Sequence, residues 1–257
     1  MRKYGYLVVE GPHDIEFAYR LLSPFKLQRV QYEKDLDGFF APLIPRKYPP
    51  DGDLQKRMPI PLFLQNDTHT IAIHSAIGDS RLVDTIEENA ALIDITSLTG
   101  IGIFLDADKK GSPATRYATI QSDLAGKGFI LENQAGAVTL GPPKLGAYVL
   151  PDNASTGTLE DLLLDSASNV YPDLLLSAKA YIYTAMKGTD LINADKADFK
   201  KPAGRNKAII GAMSSILRPG KAVQVSMQDN RWLRDQALSL PRIQAVQTFL
   251  KDLFNIP

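Results

Sequence analysis

The sequence predicts an α/β fold: a mostly parallel sheet with flanking helices, followed by a helical appendage. Two observations carry that expectation. Short apolar runs of strand length alternate with segments whose apolar residues keep helical spacing, and this alternation favours a parallel sheet with crossover helices. Several strand-like runs also end on acids, where the ligand edge of an open parallel sheet lies.

The elements follow in order. Tyr6-Leu-Val-Val-Glu10 reads as a first strand, and beyond Gly11-Pro12 the residues Ile15, Ala18, Tyr19 and Leu22 mark a helix. Thr70–His74 is a second strand, and Gly78-Asp79-Ser80 leads a helix with Leu82, Ile86 and Ala90 on one face. Ile101–Leu105 is a third strand. Ser112-Pro113 then offers an N-cap and a first helical position for a stripe of Tyr117, Ile120 and Leu124. Ala147–Leu150 is a fourth strand, followed by Pro151-Asp152-Asn153 and a helix from Thr158. From residue 170 onward the periodic segments are helical: 174–186, 206–217, and a closing helix with Ile243, Val246, Leu250 and Leu253, whose first turn suits Pro241. The expected organisation is an α/β domain over 1–168 and a helical region over 169–257 packed on it. The α/β domain carries a proline-rich insertion at 23–68, where PLIPRKYPP and RMPIPLF argue against a helix or a central strand.

Composition narrows the chemistry. Cysteine is absent, which excludes disulfides and thiolate catalysis and leaves oxygen ligands or three histidines for any metal. The 29 basic and 29 acidic residues balance, so contact with nucleic acid would be local rather than a general coating. No apolar run approaches the roughly 20 residues of a membrane span. The apolar run of MRKYGYLVVEG meets Glu10 too soon for a signal peptide, so a cytoplasmic location is expected.

Glu10, Asp106, Asp108 and Asp152 stand at or just beyond strand ends. Two ionised carboxylates about 4 Å apart repel by roughly 4 kcal/mol at an effective dielectric near 20. Were the strands neighbours, a cation would relieve that repulsion, and Mg2+ or Mn2+ has the matching preference for hard oxygen ligands. The competing reading is that these acids cap the helices that follow or sit in turns.

Glu10-Gly11-Pro12-His13-Asp14 after the first strand, with Asp106-Ala107-Asp108 after a later one, resembles the Toprim signature. That core is shared by topoisomerases, bacterial primases and the OLD (overcoming lysogenization defect) nucleases, and the E-G-x-x-D form is similar to the OLD branch. LPDNASTGTLEDLL over 150–163 resembles a segment of a small Toprim-like family. The resemblance implies a Toprim-like sheet and two-metal hydrolysis of phosphodiester bonds, with Mg2+ or Mn2+ bound as one ion or a pair. Glu10 would be a metal ligand or general base, Asp106 and Asp108 would hold the metal, and Asp14 would reach towards the same edge. Glu160 and Asp161 would complete a second metal site, Asp152 would add a further carboxylate, Lys207 would approach the scissile phosphate, and His13 would act as acid or base. Gly78, Ser80 and Arg81 could meet a phosphate at a helix start, and Lys109 and Lys110 could guide a DNA or RNA strand. The OLD nucleases carry an ATPase, and this chain has no G-x-x-x-x-G-K-[ST], so any motor would come from a partner protein. The alternative is a Mg2+-dependent binding module that does not cut, or an effector subunit activated by that ATPase.

Overall fold

The computed structural model describes the chain except for residues 48–51, 55–59 and 108–111. Strand β1 (Lys3–Val9) is followed by α1 (Pro12–Leu22), β2 (Gln28–Arg29), β3 (Leu62–Gln65), β4 (His69–Ser75), α2 (Leu82–Ala90), β5 (Leu98–Asp106), α3 (Pro113–Ala125) and β6 (Lys144–Leu150). The remaining helices are α4 (Leu159–Val170), α5 (Pro172–Ala185), α6 (Gly204–Leu217), α7 (Val223–Asp229) and α8 (Pro241–Phe254). The six strands form one sheet in the order β2-β3-β4-β1-β5-β6. Strand β1 runs parallel to β4 and to β5, whereas β3 runs antiparallel to β4 and to β2. The fold is therefore the expected Rossmann-like α/β arrangement of a mostly parallel sheet with flanking helices. Among the described residues no helix is long and apolar enough to cross a membrane.

The insertion departs from expectation, because it supplies β2 and β3, and β3 is paired on both sides. Its prolines do not forbid this: none falls within Leu62–Gln65, so every amide of that strand can join the ladder. The insertion is also tied down by side chains. Phe39 stacks on Tyr4 of β1 with ring centroids 4.1 Å apart, and Phe40 meets both Phe39 and Phe63. Arg29 pairs with buried Glu16 of α1 and lies over the Tyr19 ring, 4.4 Å from its centroid.

The chain forms two compact units that do not follow a single cut near residue 168. One, the sheet unit, comprises 1–105, 117–149 and 247–257; the other, the helical unit, comprises 106–116 and 150–246. In the sheet unit, Ile101 and Ile103 share an apolar cluster with Ile86 of α2 and Leu124 of α3. The opposite face is shaped by glycine. A Cβ on Gly5 would come within 2.6 Å of the Phe254 ring, one on Gly102 within 2.5 Å of Leu253, and one on Gly146 within 2.7 Å of Phe249. At Gly100 the obstacle would be the Leu253 backbone carbonyl. Since Gly5 pairs with Gly100 in the β1–β5 ladder, the missing side chains form a trough that seats the end of α8. Phe104 and Tyr148 close around Phe249 at 6.2 and 5.4 Å between ring centroids. His69 ties the same helix end to β4 through a 3.2 Å bond from Nε2 to the Phe254 carbonyl.

The helical unit is centred on the fully buried Trp232. Its indole N–H donates to Ser226 Oγ at 2.9 Å, its carbonyl accepts from Ser166, and its ring meets Tyr171 edge-on at 5.8 Å. Helix α7, which carries Ser226, has no counterpart among the expected segments.

Three stability predictions follow, two from the sheet unit's geometry and one from α6. Gly100→Ala should lower the urea-unfolding free energy by about 1–3 kcal/mol, because a backbone carbonyl cannot rotate aside as a side chain can. Gly211→Ala, in the interior of α6 with nothing within 4 Å of the new Cβ, should instead gain about 0.5–1 kcal/mol. Burial, reinforced by the charge of Lys3, pushes the His69 pKa down, so the fold favours the neutral ring. Its contribution is complete above the unfolded-state pKa of about 6.5 and is lost as pH falls through the lowered folded value. The urea midpoint should therefore fall from pH 6.5 downward in the wild type, with a shallower slope in His69→Gln.

Candidate functional site

In the sheet unit, Glu10 follows the last residue of β1 and begins the connection to α1. The extended Gly11 caps the helix, Pro12 takes its first position, where no amide is needed, and His13 its second. Asp14 Oδ2 accepts the Gly11 N–H at 2.9 Å, and its side chain is buried. Asp14, expected as a metal ligand at this edge, makes a helix-capping bond to Gly11. The segment after β4 folds against the same turn: the Ala76 N–H donates to the Val9 carbonyl at 2.8 Å and the Gly78 N–H to the Glu10 carbonyl at 3.0 Å. Between them, Ile77 adopts φ of +56° with its side chain exposed. A β-branched residue in that region is strained, and such strain collects at functional turns.

The segment expected to offer a phosphate-binding helix start has local partners of its own. Residues Asp79–Arg81 form a 3-10 turn ahead of α2 and contain Ser80; the Gly78 amide is already donated, and Arg81 pairs with Glu88 at 2.9 Å. His74, within β4, is buried with Nδ1 3.1 Å from the Tyr6 hydroxyl, a structural role.

In the helical unit the acids gather at the start of α4. Asp106 Oδ1 accepts the Leu159 N–H at 3.0 Å, and the Asp106 carbonyl accepts from Arg116 Nε at 3.3 Å. Thr158 caps the helix; its N–H donates to Asp161 Oδ2 at 2.8 Å and its hydroxyl to Glu160 Oε2 at 2.7 Å. Asn206 of α6 donates to the other Asp161 oxygen at 3.0 Å. Asp152 accepts the Ala154 and Ser155 amides at 3.1 and 2.6 Å and pairs with Arg242 at 3.0 Å. Burial opposes ionisation of Asp152, but those amides and the Arg242 charge outweigh it and hold its pKa below the usual carboxylate range. Lys207 is exposed on α6 and lines a groove of about 380 Å³ with Phe199 and Lys201; the described lining residues include none of the expected metal ligands.

Asp108, Lys109 and Lys110 lie outside the described residues. Among the described residues, no group of three or more His, Asp or Glu is arranged to hold a metal ion. Sequence reasoning placed a helix start at Thr158 without naming its capping role, and missed Asn206 and Arg242. Of the three, Thr158 carries a legible signal, since T-x-x-D ahead of an apolar run is a capping box.

Fold and strand-end acids together define the class: a Rossmann-like α/β protein with an acid-bearing turn after its first strand. Residues 4–255 match the family described as "Protein of unknown function (DUF3226)", and the chain belongs to it. No curated protein matches the chain. Among solved structures, it is similar to the hypothetical protein PH0156 from Pyrococcus horikoshii OT3, with a TM-score of 0.54 at 15% identity, over 100% of this chain and 96% of that one. At that identity the likeness shows a shared fold.

Asp106→Ala should cost about 1–2 kcal/mol of stability through loss of the α4 amide acceptor. Asp106→Asn keeps a carbonyl oxygen there and should cost less than half as much, read from urea-unfolding midpoints.

Proposed function

We propose that the protein is a metal-dependent phosphoryl-transfer enzyme of the Toprim type, most similar to the OLD nucleases, which hydrolyses phosphodiester bonds of DNA or RNA in the cytoplasm. The observation that carries this reading is the Glu10–Asp14 turn. It stands at the carboxyl end of β1, a central strand with parallel neighbours on both sides, where ligand sites of open α/β sheets are found.

The metal would be Mg2+ or Mn2+, held by Glu10, Asp106 and Asp108. That assignment comes from the Toprim resemblance: among the described residues no three-ligand group is formed, and Asp108 lies outside them. When bound, such an ion supplies a hard Lewis acid for phosphoryl oxygens. Asp14 is a positioning residue, since its bond to the Gly11 amide sets the turn that carries Glu10 and His13. His13 is the group nearest in sequence to Glu10 that can hold or move a proton near neutral pH. Lys207 would contribute a cation for a bound strand.

A second reading takes account of a specific observation: Asp106, Asp152 and Asp161 each accept backbone amides, which occupies part of each carboxylate and leaves less of it for catalysis than for holding a cation. On that reading the protein binds nucleotide or nucleic acid with Mg2+ without cutting, or serves as an effector subunit for a separate ATPase.

The deciding experiment is thermal unfolding of the wild type, Glu10→Gln and Asp106→Asn with and without Mg2+ or Mn2+, beside incubation with single- and double-stranded DNA and RNA. The enzyme reading expects metal to stabilise the wild type by several degrees and each variant much less, with cleavage lost in both variants. Metal stabilisation without cleavage would favour the second reading. No metal response and no cleavage would leave the acids as caps and overturn both.

A further inference from the structure

We propose that a cleft at the amino-terminal edge of the sheet, opposite the acid-bearing edge, binds a phosphate-bearing small molecule of about mononucleotide size. The cleft lies within the sheet unit and has a volume of about 660 Å³. Small-molecule sites typically span about 300–1,000 Å³. It opens where β1, β5 and β6 begin, and its wall includes Arg2, Lys3 and Lys144, with Tyr4, Leu98 and Leu140 as apolar surface. None of the described lining residues is acidic. In a chain whose formal charge sums to zero, three cations around one cavity with no carboxylate among its described lining residues are a local excess.

The arrangement of the cationic heads strengthens the inference. Lys3 Nζ donates to the Asn255 carbonyl at 2.9 Å and Lys144 Nζ to the Asp252 carbonyl at 2.7 Å. Both acceptors are neutral backbone oxygens at the end of α8, so each ammonium is fixed in place with its charge uncancelled by these bonds. An ammonium has three donors and a guanidinium five, which leaves capacity for an anion. Arg2 donates to Thr70 Oγ1 at 3.0 Å and lies 3.6 Å from Asp37, which offsets part of its charge. Asp94, near the rim, is engaged by the Thr96 and Ser97 hydroxyls at 2.6 Å each. Two ammonium groups and an arginine fork around an apolar floor are suited to phosphate carried on a flat or apolar body. The competing account is that Lys3 and Lys144 only cap the carboxyl end of α8. It explains neither the cavity nor Arg2, whose partners Thr70 and Asp37 lie elsewhere.

The test is calorimetric titration of the full chain with pyrophosphate and with ADP in EDTA-containing buffer, so that metal-dependent events at the other edge do not contribute. Saturable binding of ADP is expected, weakened at least tenfold by Arg2→Gln and by Lys144→Gln and largely retained by Lys144→Arg. Far-UV circular dichroism and urea midpoints report whether each variant is folded. If Lys144→Gln does not fold, Arg2→Gln and Lys144→Arg decide the matter, since the first keeps the Lys3 and Lys144 bonds to the end of α8 and the second keeps a donor at position 144. Absence of saturable binding to either probe, or binding unchanged in folded Arg2→Gln, would overturn the proposal. Because no metal enters the assay, this outcome is independent of the nuclease reading.

Discussion

The sheet unit depends on a close approach between its last helix and strands β1, β5 and β6. Helix α8 lies so near β1, β5 and β6 that side chains at Gly5, Gly100, Gly102 and Gly146 would collide with it. Glycine in a strand interior is ordinarily a cost, because it packs nothing and loses the most entropy on ordering. Here that cost is offset by what the helix brings into the trough: Phe249, Leu250, Leu253 and Phe254, each buried at 3% exposure or less. Full burial of one such side chain is worth roughly 1.5–3 kcal/mol, against roughly 0.5–1 kcal/mol for a strand or helix glycine relative to alanine. The helix therefore wins, and the first strand of the chain is completed by its last helix. Contacts of that sequence separation must be closed late and at an entropic cost, which makes the folding of this sheet intrinsically non-local.

At the opposite end of the strands, acids meet the same demand by another route. Carboxylates at strand ends repel one another, and a cation is one remedy. The structure displays a second: exposed amides at helix starts accept the negative charge locally. Asp14 serves α1, and Asp106 and Asp161 serve the start of α4. A hydrogen bond to a charged group contributes about 1.5–3 kcal/mol, comparable with the roughly 4 kcal/mol of repulsion between close carboxylates. The two remedies are not exclusive. A carboxylate offers about four lone-pair directions, and an amide uses one of them.

How far the sequence could be read follows from which signals are local. Strands β1, β4, β5 and β6 and helices α1 to α6 and α8 were legible because each carries an apolar run, a stripe of helical spacing or a capping residue such as Ser112, whose hydroxyl accepts the Thr115 amide at 3.1 Å. Strands β2 and β3, of two and four residues, are too short for periodicity to show, and the prolines around β3 point the other way. Helix α7, at seven residues, is short in the same sense. The two-unit division was illegible because three separate stretches of chain make the sheet unit. The site divides similarly. Glu10, Asp14 and Asp106 could be named from motif and strand end, whereas Asn206 could not, because its contact with Asp161 spans 45 residues.

One rule unifies both edges of the sheet. Helix termini expose unpaired backbone groups, and charged side chains are the strongest available partners for them. The starts of α1 and α4 take acids; the end of α8 takes Lys3 and Lys144. Each such residue is thereby fixed in position at little entropic cost to any later ligand, and each keeps coordination or donor capacity beyond the bond that fixes it. Capping is therefore preparation as well as stabilisation. An acid held by an amide is placed to share its remaining lone pairs with a cation, and a lysine held by a carbonyl is placed to share its remaining donors with an anion. Which termini are used in that way depends on the space beside them, and at the amino-terminal edge that space is a cavity of about 660 Å³.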